Sequence, residues 1–124
     1  MRLTSALVAV LLIAMNAHAD QFRFTGNTTE GNTIIGDTLR QVVAIGEAKF
    51  KCPTPEKAEA EVLPEGYRPP GGPHAEGNAS TVYERWTVTF CGSSRAFLIA
   101  FWPATDGGMM FRVQYPFPGE EDGS

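Results

Sequence analysis

Two adjoining apolar segments with different periodicities constrain the fold most. Val82, Glu84, Trp86, Val88 and Phe90 alternate with Tyr83, Arg85, Thr87, Thr89 and Cys91. A period of two sends successive side chains to opposite faces of an extended chain, so the stretch predicts a two-faced strand. The following run, "AFLIAFW", is apolar on both faces, with Phe97, Ile99 and Phe101 on one side and Leu98, Ala100 and Trp102 on the other. Such a run predicts a central strand covered from both sides. A turn over Gly92 to Arg95 joins the two. Pro103 stops the second, and Asp106-Gly107-Gly108 supplies a tight reversal. Met109, Phe111, Val113 and Tyr115 then alternate with Met110, Arg112 and Gln114, which predicts a last strand and completes a meander of three.

Upstream, Leu39, Val42, Val43, Gly46 and Phe50 recur at steps of three and four, the spacing of one helical stripe. Asp37 is placed to cap the first free amides, Lys49 and Lys51 suit the negative end of the helix dipole, and Pro53 ends the segment. Val42, Val43 and Gly46 lower the helix propensity, and a strand over Gln41 to Ile45 is the competing reading. In "EKAEAEVLP", Ala58, Ala60 and Val62 alternate with Lys57, Glu59 and Glu61, which predicts a strand with one wet face, at the edge of a sheet.

The remaining segments carry no sustained period. Residues 20–36 are rich in Asn, Thr and Gly and read as a loosely held N-terminal segment with a short strand near Phe22 to Phe24. Residues 64–80 hold four prolines and four glycines and form a long loop. Residues 116–124 read as a frayed acidic tail. The fold class expected is α+β: one domain over 37–115, with one helix packed on a mostly antiparallel sheet of about four strands.

The first residues bound the compartment. Arg2, an apolar run from Ala6 to Met15 and the small-x-small triplet Ala17-His18-Ala19 match a secretory signal peptide, residues 1–19, cut before Asp20. A membrane anchor is the alternative, but the run falls far short of the ~20 residues a spanning helix needs. The expected mature protein is periplasmic or secreted, with no membrane span. Beyond residue 19 the chain carries nine Lys and Arg against fourteen Asp and Glu, a net charge of −5. A phosphate backbone would be repelled, so nucleic acid is not an expected partner. An exported chain with two cysteines is a candidate for a disulfide, and Cys52 with Cys91 is the single intramolecular pairing available.

At this point the chain resembles a class of small exported bacterial proteins of unknown function. The residues that carry the likeness are Phe50-Lys51-Cys52-Pro53 at the end of a helix, "ERWTVTFCG" with Phe90-Cys91-Gly92, and "FWPATDGGMMFRV". The likeness covers Leu39 to Val113. It implies a Cys52–Cys91 disulfide and a helix-on-sheet fold, and it brings no activity and no catalytic residues.

Cys91 as a nucleophile needs a base to lower its pKa, and His74, the one histidine left after the leader, lies in the Pro/Gly loop. Ser93 and Ser94 read as turn formers, because their surroundings do not match a Gly-x-Ser-x-Gly elbow. Met109, Met110 and His74 are soft ligands that in principle suit copper, but Met109 falls on the core face, and four ligands for structural zinc are lacking. No metal and no cofactor is expected. Glu84 falls on an otherwise apolar face and is either a general acid or one half of an ion pair with Arg112 across the sheet. Asn27-Thr28-Thr29 and Asn78-Ala79-Ser80 fit the glycosylation pattern but read as incidental if the source is bacterial.

One helix seldom shields both sides of a sheet, which leaves Tyr83, Leu98 and Trp102 as a binding surface unless the chain covers them itself. With His74 in the adjoining loop, they make up the expected site. The function expected is a small exported non-enzymatic binding module, with an unidentified protein or small-molecule partner in the cell envelope. The alternatives are a small periplasmic enzyme or thiol-active protein using Cys91, and an inhibitor of a secreted enzyme.

Overall fold

The computed structural model describes residues 22–70 and 80–120. The leader, His74, Asn78 and the last four residues lie outside them. The elements in chain order are β1 (Arg23–Gly26), α1 (Asn32–Phe50), β2 (Pro55–Val62), β3 (Val82–Phe90), β4 (Ser93–Pro103) and β5 (Met109–Gln114). The strands form one sheet in sequence order, β1 parallel to β2 and every other pair antiparallel. A parallel pair cannot be closed by a tight turn, and α1 supplies the crossover between β1 and β2. The protein is therefore α+β, one helix on a mostly antiparallel sheet, with five strands rather than about four.

The periodicities translate directly into the layers. On the α1 side Trp86, Val88, Phe90, Phe97, Ile99 and Phe101 form the core with Val42, Ala58 and Ala60. Met109, Phe111, Val113 and Tyr115 pack against it from β5, while Met110 faces outward. The Phe24 ring from β1 meets Trp86 edge-on at 4.9 Å.

Three boundaries differ from expectation. The helix begins at Asn32, because its stripe runs back through Thr38 and Leu39 to Ile34 and Ile35, which pack on the core. Asp37 is thus no cap; it lies inside the helix and pairs with Arg40 one turn on. Residues 20–36 are correspondingly not a loose segment where described, since they hold β1 and the first turns of α1. Nor is β2 an edge: β1 pairs with it from Arg23↔Lys57 to Gly26↔Ala60 and takes the edge position. Finally, the β3–β4 reversal is the two-residue turn Cys91-Gly92, both at positive φ (47° and 82°), as a hairpin matched to strand twist requires. Ser93 and Ser94 belong to β4, paired with Phe90 and Thr89.

The Cys52–Cys91 disulfide is formed, with Cα atoms 6.2 Å apart. It fastens the end of α1 to the β3–β4 turn. Just before it, Lys51 adopts a left-handed conformation and the Cys52 N–H donates to the Gly46 carbonyl, closing the helix. Gly46 is also where the helix lies nearest the sheet: a methyl group there would stand 2.7 Å from Phe90 Cζ. Gly46→Ala should lower the unfolding free energy in urea by about 2 kcal/mol through overpacking, despite alanine's better helix propensity.

The face away from α1 is covered by the chain itself. Tyr83, Leu98 and Ala100 form a second cluster beneath Leu63, Tyr67, Trp102 and Phe117. Leu63 N–H donates to the Tyr83 carbonyl at 2.9 Å, and Phe117 N–H to the Ala96 carbonyl at 3.0 Å. Residues 116–120 are therefore a strap laid over the sheet rather than a frayed tail.

Candidate functional site

Two features meet where β2 leaves the sheet and β3 enters it. The first is Glu84. Its register partner on β4 is Ile99, its side chain is fully buried, and it lies on the α1 side. Oε1 accepts from the Trp86 indole N–H at 2.9 Å. Oε2 accepts from the Thr29 N–H at 2.8 Å and from the Thr28 and Thr29 hydroxyls at 3.0 Å each. A carboxylate in an apolar core is otherwise costly, and these four donors satisfy it. The expected Glu84–Arg112 pair does not form, because Arg112 sits opposite Ala100 and so belongs to the other face. Glu84 instead latches the β1–α1 loop to the sheet.

The second is a cleft of about 470 Å³, lined among others by Thr29, Val62, Leu63, Tyr67, Arg68 and Tyr83. Its outer wall is the turn after β2, where Tyr67 N–H donates to the Pro64 carbonyl at 3.0 Å. The Tyr67 ring stands edge-on to Tyr83 at 5.5 Å. Burial, and then the neighbouring Tyr83, push the Tyr67 phenol above its ordinary value of 10.0, so it is neutral across the physiological range. Thr29 serves both features. Its hydroxyl bonds Glu84 and its side chain lines the cleft. Chemically the cleft offers aromatic and aliphatic walls, hydroxyls, and two exposed charged groups of opposite sign, Glu65 and Arg68, a set suited to holding a ligand.

The residues singled out from sequence are distributed differently. Tyr83 and Leu98 are buried, at 5% and 3% exposed, and Trp102 is half-buried at the margin of their cluster. Tyr83 borders the cleft; Leu98 and Trp102 do not. Cys91 lies eight residues beyond Tyr83, at the far end of β3 and about 27 Å along the strand. The disulfide and the cleft are thus separate regions. Among the described residues no three His, Cys, Asp or Glu side chains are grouped to hold a metal ion. Sequence reasoning missed Val62, Tyr67, Thr28 and Thr29; an aromatic within a Pro/Gly-rich loop was the one available signal, since such a ring finds burial only by folding back onto the sheet. No family model, curated protein or solved structure matches the chain.

Proposed function

We propose that the protein is a small exported, non-enzymatic binding module whose ligand enters the cleft between the 63–68 turn and the start of β3. The observation that carries this reading is the cleft itself, a concavity with aliphatic and aromatic walls and polar groups at Thr29, Glu65, Arg68 and Thr81 that can orient a ligand. Export is supported by the leader pattern of residues 1–19 and by the disulfide, a bond that persists in oxidising compartments. Among the described residues no helix is long and apolar enough to cross a membrane. The distance from the cleft to Cys91 weighs against a thiol acting on a ligand held there.

Mixtures of aromatic and aliphatic fragments, screened by ligand-observed NMR against the wild type and Val62→Glu, test the proposal. Val62 is 37% exposed, so the substitution charges the cleft wall without emptying the core. Fragments should bind the wild type and lose at least tenfold in affinity for Val62→Glu, while Tm moves by no more than about 2 °C. Equal binding to both proteins would place the site elsewhere.

A further inference from the structure

The strap over the second sheet face shows what that face takes. Phe117 lies beneath the Arg85 guanidinium, 4.8 Å from carbon Cζ to the ring centroid, and beside the Tyr67 ring at 6.4 Å. Glu120, three residues on, forms an ion pair with the same Arg85. One backbone hydrogen bond, Phe117 N–H to the Ala96 carbonyl, joins the strap to the sheet, and a turn bond from Glu120 N–H to the Phe117 carbonyl sets the spacing of ring and carboxylate. Glu61 stands opposite Arg85 in the β2–β3 register, and the Arg85 guanidinium pairs with Glu120 of the strap. The sequence continues with Glu121 and Asp122, so the strap runs into an acidic end.

We propose that the groove formed by Tyr67, Tyr83, Leu98 and Arg85 is a peptide-recognition surface, occupied in the free protein by residues 116–120, and that it receives from a partner protein a turn-forming segment with an aromatic residue followed three positions later by a carboxylate. The inference rests on the binding-module reading and extends it from the cleft to the adjoining groove through their shared residues, Tyr67 and Tyr83. The occupant's chemistry is read from the strap. Its ring fills the space between Tyr67 and Arg85, and its carboxylate meets the cation, the pairing by which arginine selects acidic motifs. Among the described residues one backbone hydrogen bond joins the strap to the sheet, so its hold rests on the Phe117 ring and the Glu120 carboxylate, the contacts that a competing segment with the same two groups would make. The strap is also tethered, which gives it a high effective concentration over the groove. A second copy's strap meets a groove already filled in this way, so the segment that displaces it comes from a partner that binds more tightly than the strap.

The probe is a synthetic peptide with the sequence of residues 116–124, titrated by amide-resolved NMR into the intact chain and into a chain ending at Tyr115. Tyr115 is kept because its ring packs on Phe50 and Phe97. The peptide should bind the shortened chain with shifts at Tyr67, Arg85 and Ala96, and bind the intact chain at least tenfold more weakly. Arg85→Ala in the shortened chain, or Glu120→Ala in the peptide, should each cost about tenfold. If the shortened chain does not fold, the full chain carrying Phe117→Ala and Glu120→Ala, which keeps the strap backbone but empties the groove, takes its place. A folded open-groove protein that ignores the peptide, or binds the substituted peptide equally well, overturns the proposal. So does failure of both open-groove proteins to fold, since an occupant that leaves cannot be needed for folding. Loss of fragment binding at the cleft in the intact chain would instead count against the broader reading, so the two failures are distinguishable.

Discussion

Glu84→Ala should lower the unfolding free energy by about 4 kcal/mol, a large share of the ~5–15 kcal/mol typical of a domain. The substitution removes the acceptor of the Thr28 and Thr29 hydroxyls, the Thr29 N–H and the Trp86 indole N–H. The buried Trp86 donor left without a partner costs roughly 1–3 kcal/mol, the threonine donors add less because water can reach them, and the emptied volume adds the rest. Glu84→Gln keeps the shape and one acceptor oxygen but turns an amide donor toward donors; about 2 kcal/mol is expected. The contributions are not additive, because all four donors share one carboxylate. Thr28→Val should therefore cost about 1 kcal/mol in the wild type and much less on the Glu84→Ala background. Urea denaturation of the four proteins, followed by tryptophan fluorescence, measures the cycle. A Glu84→Ala loss below 1 kcal/mol would mean that the latch contributes little to holding the loop.

Removing the disulfide should have an effect of similar size. Cys52 and Cys91 are 39 residues apart in sequence, and closing a loop of that length in the unfolded chain stabilises the native state by about 4 kcal/mol in the chain-entropy account. The double variant Cys52→Ala/Cys91→Ala should lose that much, and the wild type should lose a comparable amount in denaturant with reductant. The native protein, without reductant, should show no titratable thiol. Two reactive thiols would restore Cys91 as a candidate nucleophile and remove the staple from the account.

These two fastenings hold opposite ends of one architecture, and they were not equally legible in the sequence. The sheet interior was. Residues 82–90 and 109–115 alternate in hydrophobicity, and the structure turns Met109 to the core and Met110 to the outside as that alternation requires. The run 96–102 became an interior strand, between β3 and β5, with both of its faces buried, one under α1 and one under the turn and strap. Positions that depend on distant partners were not legible. β1 is four residues long, and its partner begins at Lys57, on the far side of a helix. No local period can register such a pairing. The start of α1 was hidden because Asn32, Thr33 and Gly36 dilute a stripe carried by Ile34, Ile35 and Thr38.

The candidate site was harder still. Strand alternation put Glu84 on the correct face, but its donors come from a loop more than fifty positions away in sequence. Arg112, the cation proposed for it, falls on the face opposite Met109 by the same alternation, so the pattern itself argued against that pair. Tyr83 and Leu98 were correctly placed on the face that α1 does not cover. Whether that face was bare depended on residues 63–70 and 116–120, whose prolines and glycines carry no periodic signal.

The central claim is that ligands enter at the β2–β3 end of the sheet, beside the loop that Glu84 holds. The most direct measurement is an amide-resolved chemical-shift map of the protein titrated with a fragment that binds it. The account predicts shifts confined to Thr29, residues 62–68 and Thr81 to Tyr83. Shifts centred on the Cys91-Gly92 turn at the far end of β3 would contradict it.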